Sequence, residues 1–302
     1  MKHSVDTAGI PARSAAAENR FGIVCMSAAM ALFIANDALV KYASQTMPAA
    51  QLICVRGMLS IVLVLAVAHA MGATPKLRTM LGRRVVVRAF VDAGATMLYL
   101  TSLFHLPIAN ATAINLASPL FMILYAVLFM GDRVGLARWL AIMAGFGGVL
   151  LVIQPRADGF TGWALVCLLG TLFHAARDLM TRRIGVEVPS ILITLSTSIA
   201  VTLVAGAVSL LEGWRAFGWF ELALLAGASV FLSGGYFLII TSMRHGEMSL
   251  VAPFRYSGLL FALVLGYAVW GDVPNVVAWS GIALLIGSGL YLLASERRKA
   301  PA

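Results

Sequence analysis

Charge is scarce in this chain. Asp, Glu, Lys and Arg make up 12% of its 302 residues, about half the share usual in a soluble domain. Hydrophobic residues account for 61%, and the mean hydropathy is +0.92. No water-soluble core can hide that much apolar surface, so lipid must be the solvent for most of the chain. Cysteine is scarce as well. Cys25, Cys54 and Cys167 each lie inside an apolar run, and no pair has metal-site or redox spacing, so neither disulfides nor a metal is expected, and no cofactor. Two motifs are missing altogether: His-Glu-x-x-His and the Walker loop. Their absence removes zinc proteases and ATP-driven pumps.

The net charge is +9. A nucleic-acid binder would gather such charge on one face. Here the basic residues sit in short clusters between apolar runs, so no nucleic-acid partner is expected. The first twenty residues are polar, and the run after them is too long for a cleaved leader, so it reads as a retained span.

What is present is a series of runs long enough to cross about 30 Å of hydrocarbon at about 20 residues each. They fall at 21–42, 49–71, 85–105, 107–130, 136–154, 162–181, 189–211, 219–243, 248–270 and 276–294. That predicts an all-α integral membrane protein of ten transmembrane helices, with tails at 1–20 and 296–302. With the N-terminus placed inside, sixteen Lys and Arg residues fall on the inner side, and only Lys41, Arg156 and Arg215 fall outside. Basic loops stay on the cytoplasmic side, so both termini are expected there.

Self-comparison divides the chain in two. A shift of 140 residues brings Thr101-Ser102 onto Thr241-Ser242, His105 onto His245, Gly131-Asp132 onto Gly271-Asp272 and Trp139 onto Trp279. A shift of 141 brings Asp37 onto Asp178, Lys41 onto Arg182 and Pro48 onto Pro189. The repeats are expected at 21–154 and 162–295. Five spans each is an odd number, so the second copy enters the membrane from the opposite face. Inverted repeats of this kind suit a secondary transporter, whose halves can expose one central site to alternate sides.

Leu106-Pro107-Ile108-Ala109-Asn110-Ala111-Thr112, continuing through Ser118-Pro119-Leu120 to Gly131-Asp132 and Trp139, resembles the EamA family of the drug/metabolite transporter superfamily. Pro253-Phe254-Arg255-Tyr256, Gly266 and Gly271-Asp272 repeat the pattern in the second half. Relatives usually carry Gly-Glu where this chain has Gly-Asp twice, a change that keeps the charge. Asn36-Asp37 with Lys41-Tyr42 is similar to a subgroup that imports S-adenosylmethionine and riboflavin, while other relatives export amino acids. The resemblance implies a carrier in a bacterial inner membrane, monomeric or homodimeric, with a small-molecule substrate.

Ionisable groups at membrane depth cost about 2.5–3.5 kcal/mol each on insertion scales, so each asks for a reason. Asp37 could meet cargo, snorkel outward or pair with Lys41. Arg56 could take an acidic group or bridge to Asp37. Asp92, Thr96 and Tyr99 form a polar i, i+4, i+7 stripe facing protein or water, with an Asp92–Arg88 pair as the alternative. In span four, Thr112, Asn115 and Ser118 recur every three residues before Pro119. Span nine answers with a break at Pro253 and with Arg255 at the repeat position of Asn115, so Arg255 and Tyr256 are expected substrate contacts, set against plain packing roles. His174, Arg177 and Asp178 read as a structural cluster, with a proton-responsive one as the alternative, and Ser229, Ser233 and Tyr236 as a helix-joining polar face of span eight, with cargo contact as the alternative. Gly145, Gly147, Gly148, Gly287 and Gly289 read as close-packing positions, and Trp139, Trp163, Trp219 and Trp279 as an interfacial belt.

The expected function is transport of a small polar or zwitterionic metabolite: amino-acid-like, S-adenosylmethionine-like or riboflavin-like. Arg255 and Arg56 would attract an acidic group. Asp37 or Asp92 would hold a cationic group or a coupling proton, and Tyr99, Tyr236 and Tyr256 suit a ring. The competing classes are a non-transporting scaffold or receptor and an intramembrane aspartyl enzyme built on Asp37 and Asp92.

Overall fold

The computed structural model describes residues 15–130, 135–154, 162–181, 183–185, 187–245 and 248–297. Expectations resting on Gly131-Asp132, Arg133, Arg156 and Arg182 lie outside the described residues, as do the side chains of Arg138, Arg244 and His245.

Among the described residues the protein is helical, without strands. In chain order the helices are α1 (Ala15–Ala43), α2 (Ala49–Ala70), α3 (Arg83–His105), α4 (Ile108–Asn115), α5 (Ser118–Met130), α6 (Leu136–Ile153), α7 (Trp163–Thr181), α8 (Ser190–Glu212), α9 (Trp219–His245), α10 (Met248–Val251), α11 (Ser257–Trp270) and α12 (Val276–Arg297). Eight stretches among them are long and apolar enough to cross a membrane, and two shorter apolar helices lie at Trp139–Ile153 and Val276–Leu292. This is a multi-pass membrane protein.

Prolines set several helix starts. Pro48, Pro107 and Pro189 precede α2, α4 and α8 with nearly the same backbone, φ of −56°, −54° and −58°. A proline there forfeits no helical bond, because the first N–H groups of a helix have no partner within it. Two apolar helical stretches are interrupted. The first is interrupted at Leu116-Ala117, between α4 and α5, where Pro119 offers no N–H to the carbonyl of Asn115. The second is interrupted by a 3₁₀ turn at Ala252–Tyr256, containing Pro253, between α10 and α11.

Most of the long contacts join the two parts of the chain. Helix α1 lies along α9, α2 along α8, α3 along α7 and α8, and α6 along α12. The main core collects Ala89, Ala93, Ala111, Ala113, Ala117, Ala200 and Ala205 with larger residues such as Leu52, Leu103, Ile114 and Leu225. Lipid tails are as apolar as leucine and give helices no hydrophobic reason to associate. Small side chains supply it instead by letting backbones approach for dispersion contact. Large apolar residues such as Val62, Leu136, Leu210 and Phe237 point outward. Trp219 is exposed at the start of α9, whereas Trp163 stacks on His105 at 3.9 Å between centroids.

Candidate functional site

The polar residues at membrane depth gather in two layers along α3, seven residues apart, or about 10 Å at 1.5 Å per residue. Asp92 anchors the first and Tyr99 the second.

Around Asp92 the charges touch. Arg88 Nη1 lies 3.0 Å from Asp92 Oδ2, and Arg177 Nη1 lies 2.8 Å from Asp92 Oδ1. Arg177 also grips Asp178, with Nη2 at 2.9 Å and Nε at 3.0 Å from Oδ1. Arg88 continues to the hydroxyls of Thr181, at 3.0 Å, and Thr197. Residues 177 and 181 of α7 thus face 92 and 88 of α3, so the two helices run antiparallel, and Arg88 ties α8 to α3. The Asp92–Arg88 pair expected from i, i+4 spacing is present, and Arg177 extends it between helices.

Around Tyr99 the charges are kept apart. The Tyr99 hydroxyl donates to Asp37 Oδ2 at 2.8 Å, and Asn36 Nδ2 donates to Asp37 Oδ1 at 2.9 Å. Arg56 Nη1 donates not to Asp37 but to Asn36 Oδ1, at 3.2 Å. Among the described residues no ion pair joins Arg56 to Asp37. Arg56 is 6% exposed, and its Nε has no hydrogen-bond partner. Ser229 Oγ donates to the carbonyl of Arg56 at 3.2 Å, which joins α9 to α2.

His174 stands between the layers, with Nδ1 3.0 Å from Asn115 Oδ1 and its ring 5.7 Å from that of Tyr99. Thr112 is buried beside Tyr99. Tyr236 meets Phe33 edge-on at 5.3 Å and lies within electrostatic reach of Arg56, Asp92 and Arg177. Asp37, Arg56, Asp92, Tyr99, Thr112, Asn115 and Tyr236 therefore lie in one connected region between α1, α2, α3, α4, α7 and α9.

Among the described residues, the other three expected contacts make no bond to this region. Ser118 is half-buried at the start of α5. Arg255 is exposed. Tyr256 is buried with its hydroxyl against the backbone of Gly289 on α12, where any Cβ would collide with the phenol. The packing alternative describes the surroundings of Tyr256.

Asn36 went unread as a link between Asp37 and Arg56. Lys41, expected as a partner of Asp37, instead turns to the end of α3. Its Nζ donates to the carbonyl oxygens of Leu103, at 3.1 Å, and Leu106, with the Trp270 ring 5.5 Å away. A cation belongs there, because the last carbonyls of a helix lack partners and carry partial negative charge. Lys41→Met, which keeps the stem and removes the ammonium, is expected to cost about 1–2 kcal/mol. Thermal unfolding of the purified variant measures this, and an unchanged midpoint would mean that the cap contributes nothing.

Comparison with known proteins agrees with this architecture. The EamA-like transporter family model matches residues 20–154 and again 161–294. A riboflavin transporter of Rhizobium johnstonii is 31% identical over 74% of this chain and 74% of its own length. The pseudopaline exporter CntI of Pseudomonas aeruginosa is 27% identical over 91% and 97%. An S-adenosylmethionine uptake transporter of Rickettsia bellii is 26% identical over 64% and 66%. A crystal structure superposes with a TM-score of 0.64 at 16% identity, covering 95% of this chain and 100% of its own, a likeness of fold alone. A chain of apolar helices matched by one family model through both parts of its length belongs to the EamA-like transporter family, and is a small-molecule transporter rather than an enzyme.

Proposed function

We propose that this protein is a secondary transporter of a small polar or zwitterionic organic metabolite, working by alternating access between two inverted five-helix halves, 21–154 and 162–295. It sits in a bacterial inner membrane with both termini cytoplasmic. The observation that carries the reading is the pair of layers of buried polar groups, one around Asp37 and Tyr99 and one around Asp92, in apolar helices where each charge is costly. A scaffold has no need to hold such groups there.

The pattern of packing supports the inverted halves. Exchanging each crossing for the one five places along turns α1–α9 into α7–α3, α2–α9 into α8–α3 and α1–α11 into α7–α4 with α7–α5, while α2–α8, α6–α12 and α4–α11 map onto themselves; all of these pairs pack together. The two broken crossings, interrupted at Leu116-Ala117 and at Ala252–Tyr256, also correspond under the exchange. Backbone irregularity at membrane depth is tolerated where it borders a cavity or other protein.

Relatives named for riboflavin, S-adenosylmethionine and pseudopaline bracket the cargo as polar and organic. Without a Walker loop, transport draws on a gradient or on exchange. Arg56, Asp37, Tyr99, Thr112, Asn115 and Tyr236 form the substrate region, with Asp37 as the group able to take a coupling proton. Arg255, exposed on the other broken crossing, attracts an acidic cargo before it reaches them. The protein works as a monomer or homodimer.

Uptake into proteoliposomes tests this, using amino acids, S-adenosylmethionine and riboflavin with and without an imposed pH gradient. One class should accumulate, and Asp37→Asn should cut its flux at least tenfold. If wild-type protein moves nothing on the panel, the transport assignment fails. If flux appears but neither Asp37→Asn nor Arg255→Ala alters it, the assignment of residues fails.

A further inference from the structure

The two polar layers are built on repeat-equivalent positions yet are wired differently. Under the shift of 141 residues, Asn36-Asp37 of α1 corresponds to Arg177-Asp178 of α7. In the second pair the first residue is cationic, and it collapses onto the carboxylate beside it, at 2.9 Å, and onto Asp92, at 2.8 Å. With Arg88 on the other oxygen of Asp92, the layer is a closed chain of two arginines and two aspartates, each charge already answered.

In the first pair an amide takes the place of the cation. Asn36 gives its N–H to Asp37 and its carbonyl to Arg56, filling the gap between two opposite charges and preventing their direct contact. The result is a buried guanidinium with one described hydrogen bond, at 3.2 Å, and an Nε that bonds to nothing. Buried donors are nearly always satisfied, and those of a cation are the most costly to leave open. The Nε–Nη2 edge of a guanidinium is a planar fork that matches the two oxygens of a carboxylate. Asp37 accepts two hydrogen bonds, from Asn36 and Tyr99, and as a carboxylate has room for about two more.

We infer that the layer of Asn36, Asp37, Arg56 and Tyr99 is the receptor for a zwitterion, whose carboxylate docks on the Nε edge of Arg56 and whose cationic group docks on Asp37, while the layer of Asp92 and Arg177 joins helices and does not touch the cargo. Asn36 holds the two poles of the receptor open. This rests on the transport reading and narrows it, because it ranks carboxylate-bearing molecules such as S-adenosylmethionine and amino acids above riboflavin, which has no carboxylate.

The test measures a ratio within each variant, so a reduced yield of folded protein does not alter it. Proteoliposomes are given matched probes differing in one group: S-adenosylmethionine against its decarboxylated form, and leucine against leucinamide, with riboflavin as the neutral comparison. Wild-type protein should prefer the carboxylate-bearing member of a transported pair at least tenfold in flux at limiting substrate, the value of one charge-assisted fork. Arg56→Gln and Arg56→Lys should bring the preference close to one, and so should Asn36→Asp, which gives Arg56 a carboxylate of its own. The paired change Asp92→Asn with Arg177→Gln should leave the preference in place even where total flux falls. The inference is overturned if Arg56→Gln retains the full preference, or if the Asp92–Arg177 pair abolishes it. Flux of riboflavin with no carboxylate preference removes this inference and leaves transport standing. Absence of both flux and binding for every probe removes both.

Discussion

Asp92→Ala is expected to destabilise the protein by about 3–5 kcal/mol, because it takes the shared anion from the buried Arg88 and the half-buried Arg177 at once. In the native layer Asp92 is the shared anion of Arg88 and Arg177, and its side chain is 3% exposed. Its removal leaves Arg88 with hydroxyl partners on Thr181 and Thr197, and leaves Arg177 with Asp178 alone. Asp178→Ala should cost less, since its side chain is 29% exposed and water can answer part of the lost charge. The thermal midpoint in detergent should fall by roughly 10 °C for Asp92→Ala. The double change Asp92→Ala with Arg177→Met should recover part of that loss by removing one stranded charge. A midpoint within a degree of wild type for the single change would mean that these contacts are not made in the folded protein.

The parts of this layer differ in how far local sequence discloses them. Arg88 and Asp92 are one turn apart on one helix, so spacing alone makes them neighbours. The stripe through Thr96 to Tyr99 likewise follows from helical period. Arg177 and Asp37 are different, since they meet this helix from 85 and 62 residues away. Composition shows that such charges need partners, and gives no means of choosing among them. Asn36 was missed for a related reason. A neutral amide in an apolar run raises no electrostatic alarm, and its value lies in the two charges that it separates. The usable signal was its alignment with Arg177, a change from cation to amide at otherwise matching positions.

Arg255 and Tyr256 show what repeat position leaves open. Repeat position pairs Arg255 with Asn115 in the sequence. It does not carry side-chain direction. Asn115 ends an α-helix, whereas Arg255 and Tyr256 belong to a 3₁₀ turn. Three residues per turn in place of 3.6 adds about 20° of rotation per residue, or about 100° over five. Tyr256 is turned with its hydroxyl against Gly289 of α12.

The glycines of α6 and α12 lead to the other large expected effect. Gly145, Gly147, Gly148, Gly287 and Gly289 can all be picked out as small positions in apolar helices, but composition does not show which of them sits at the crossing. Gly287 faces open space, and Gly147 has only Leu284 near, at 3.9 Å from the place of a Cβ. The backbones meet at Gly148 and Gly281 instead. A Cβ on Gly148 would stand 2.7 Å from the carbonyl oxygen of Gly281 and 2.9 Å from the nitrogen of Leu285, and one on Gly281 would stand 2.6 Å from the carbonyl oxygen of Gly148. Neither obstacle is a side chain that can rotate away, so relief requires the helices to separate. In lipid that separation forfeits the dispersion contact holding them together, with no hydrophobic term to restore it. Gly148→Val should therefore cost about 3 kcal/mol, the upper part of the range for overpacking, and Gly148→Ala somewhat less. Gly287→Ala, made on the same helix pair where space is open, should leave the thermal midpoint within about a degree of wild type, since substitutions free of such contacts stay within about 0.5 kcal/mol. Equal losses for Gly148→Ala and Gly287→Ala would show that the crossing does not govern this pair, since helix propensity favours alanine over glycine at both positions. A loss confined to position 148 places the contact between α6 and α12 where the two glycine backbones touch.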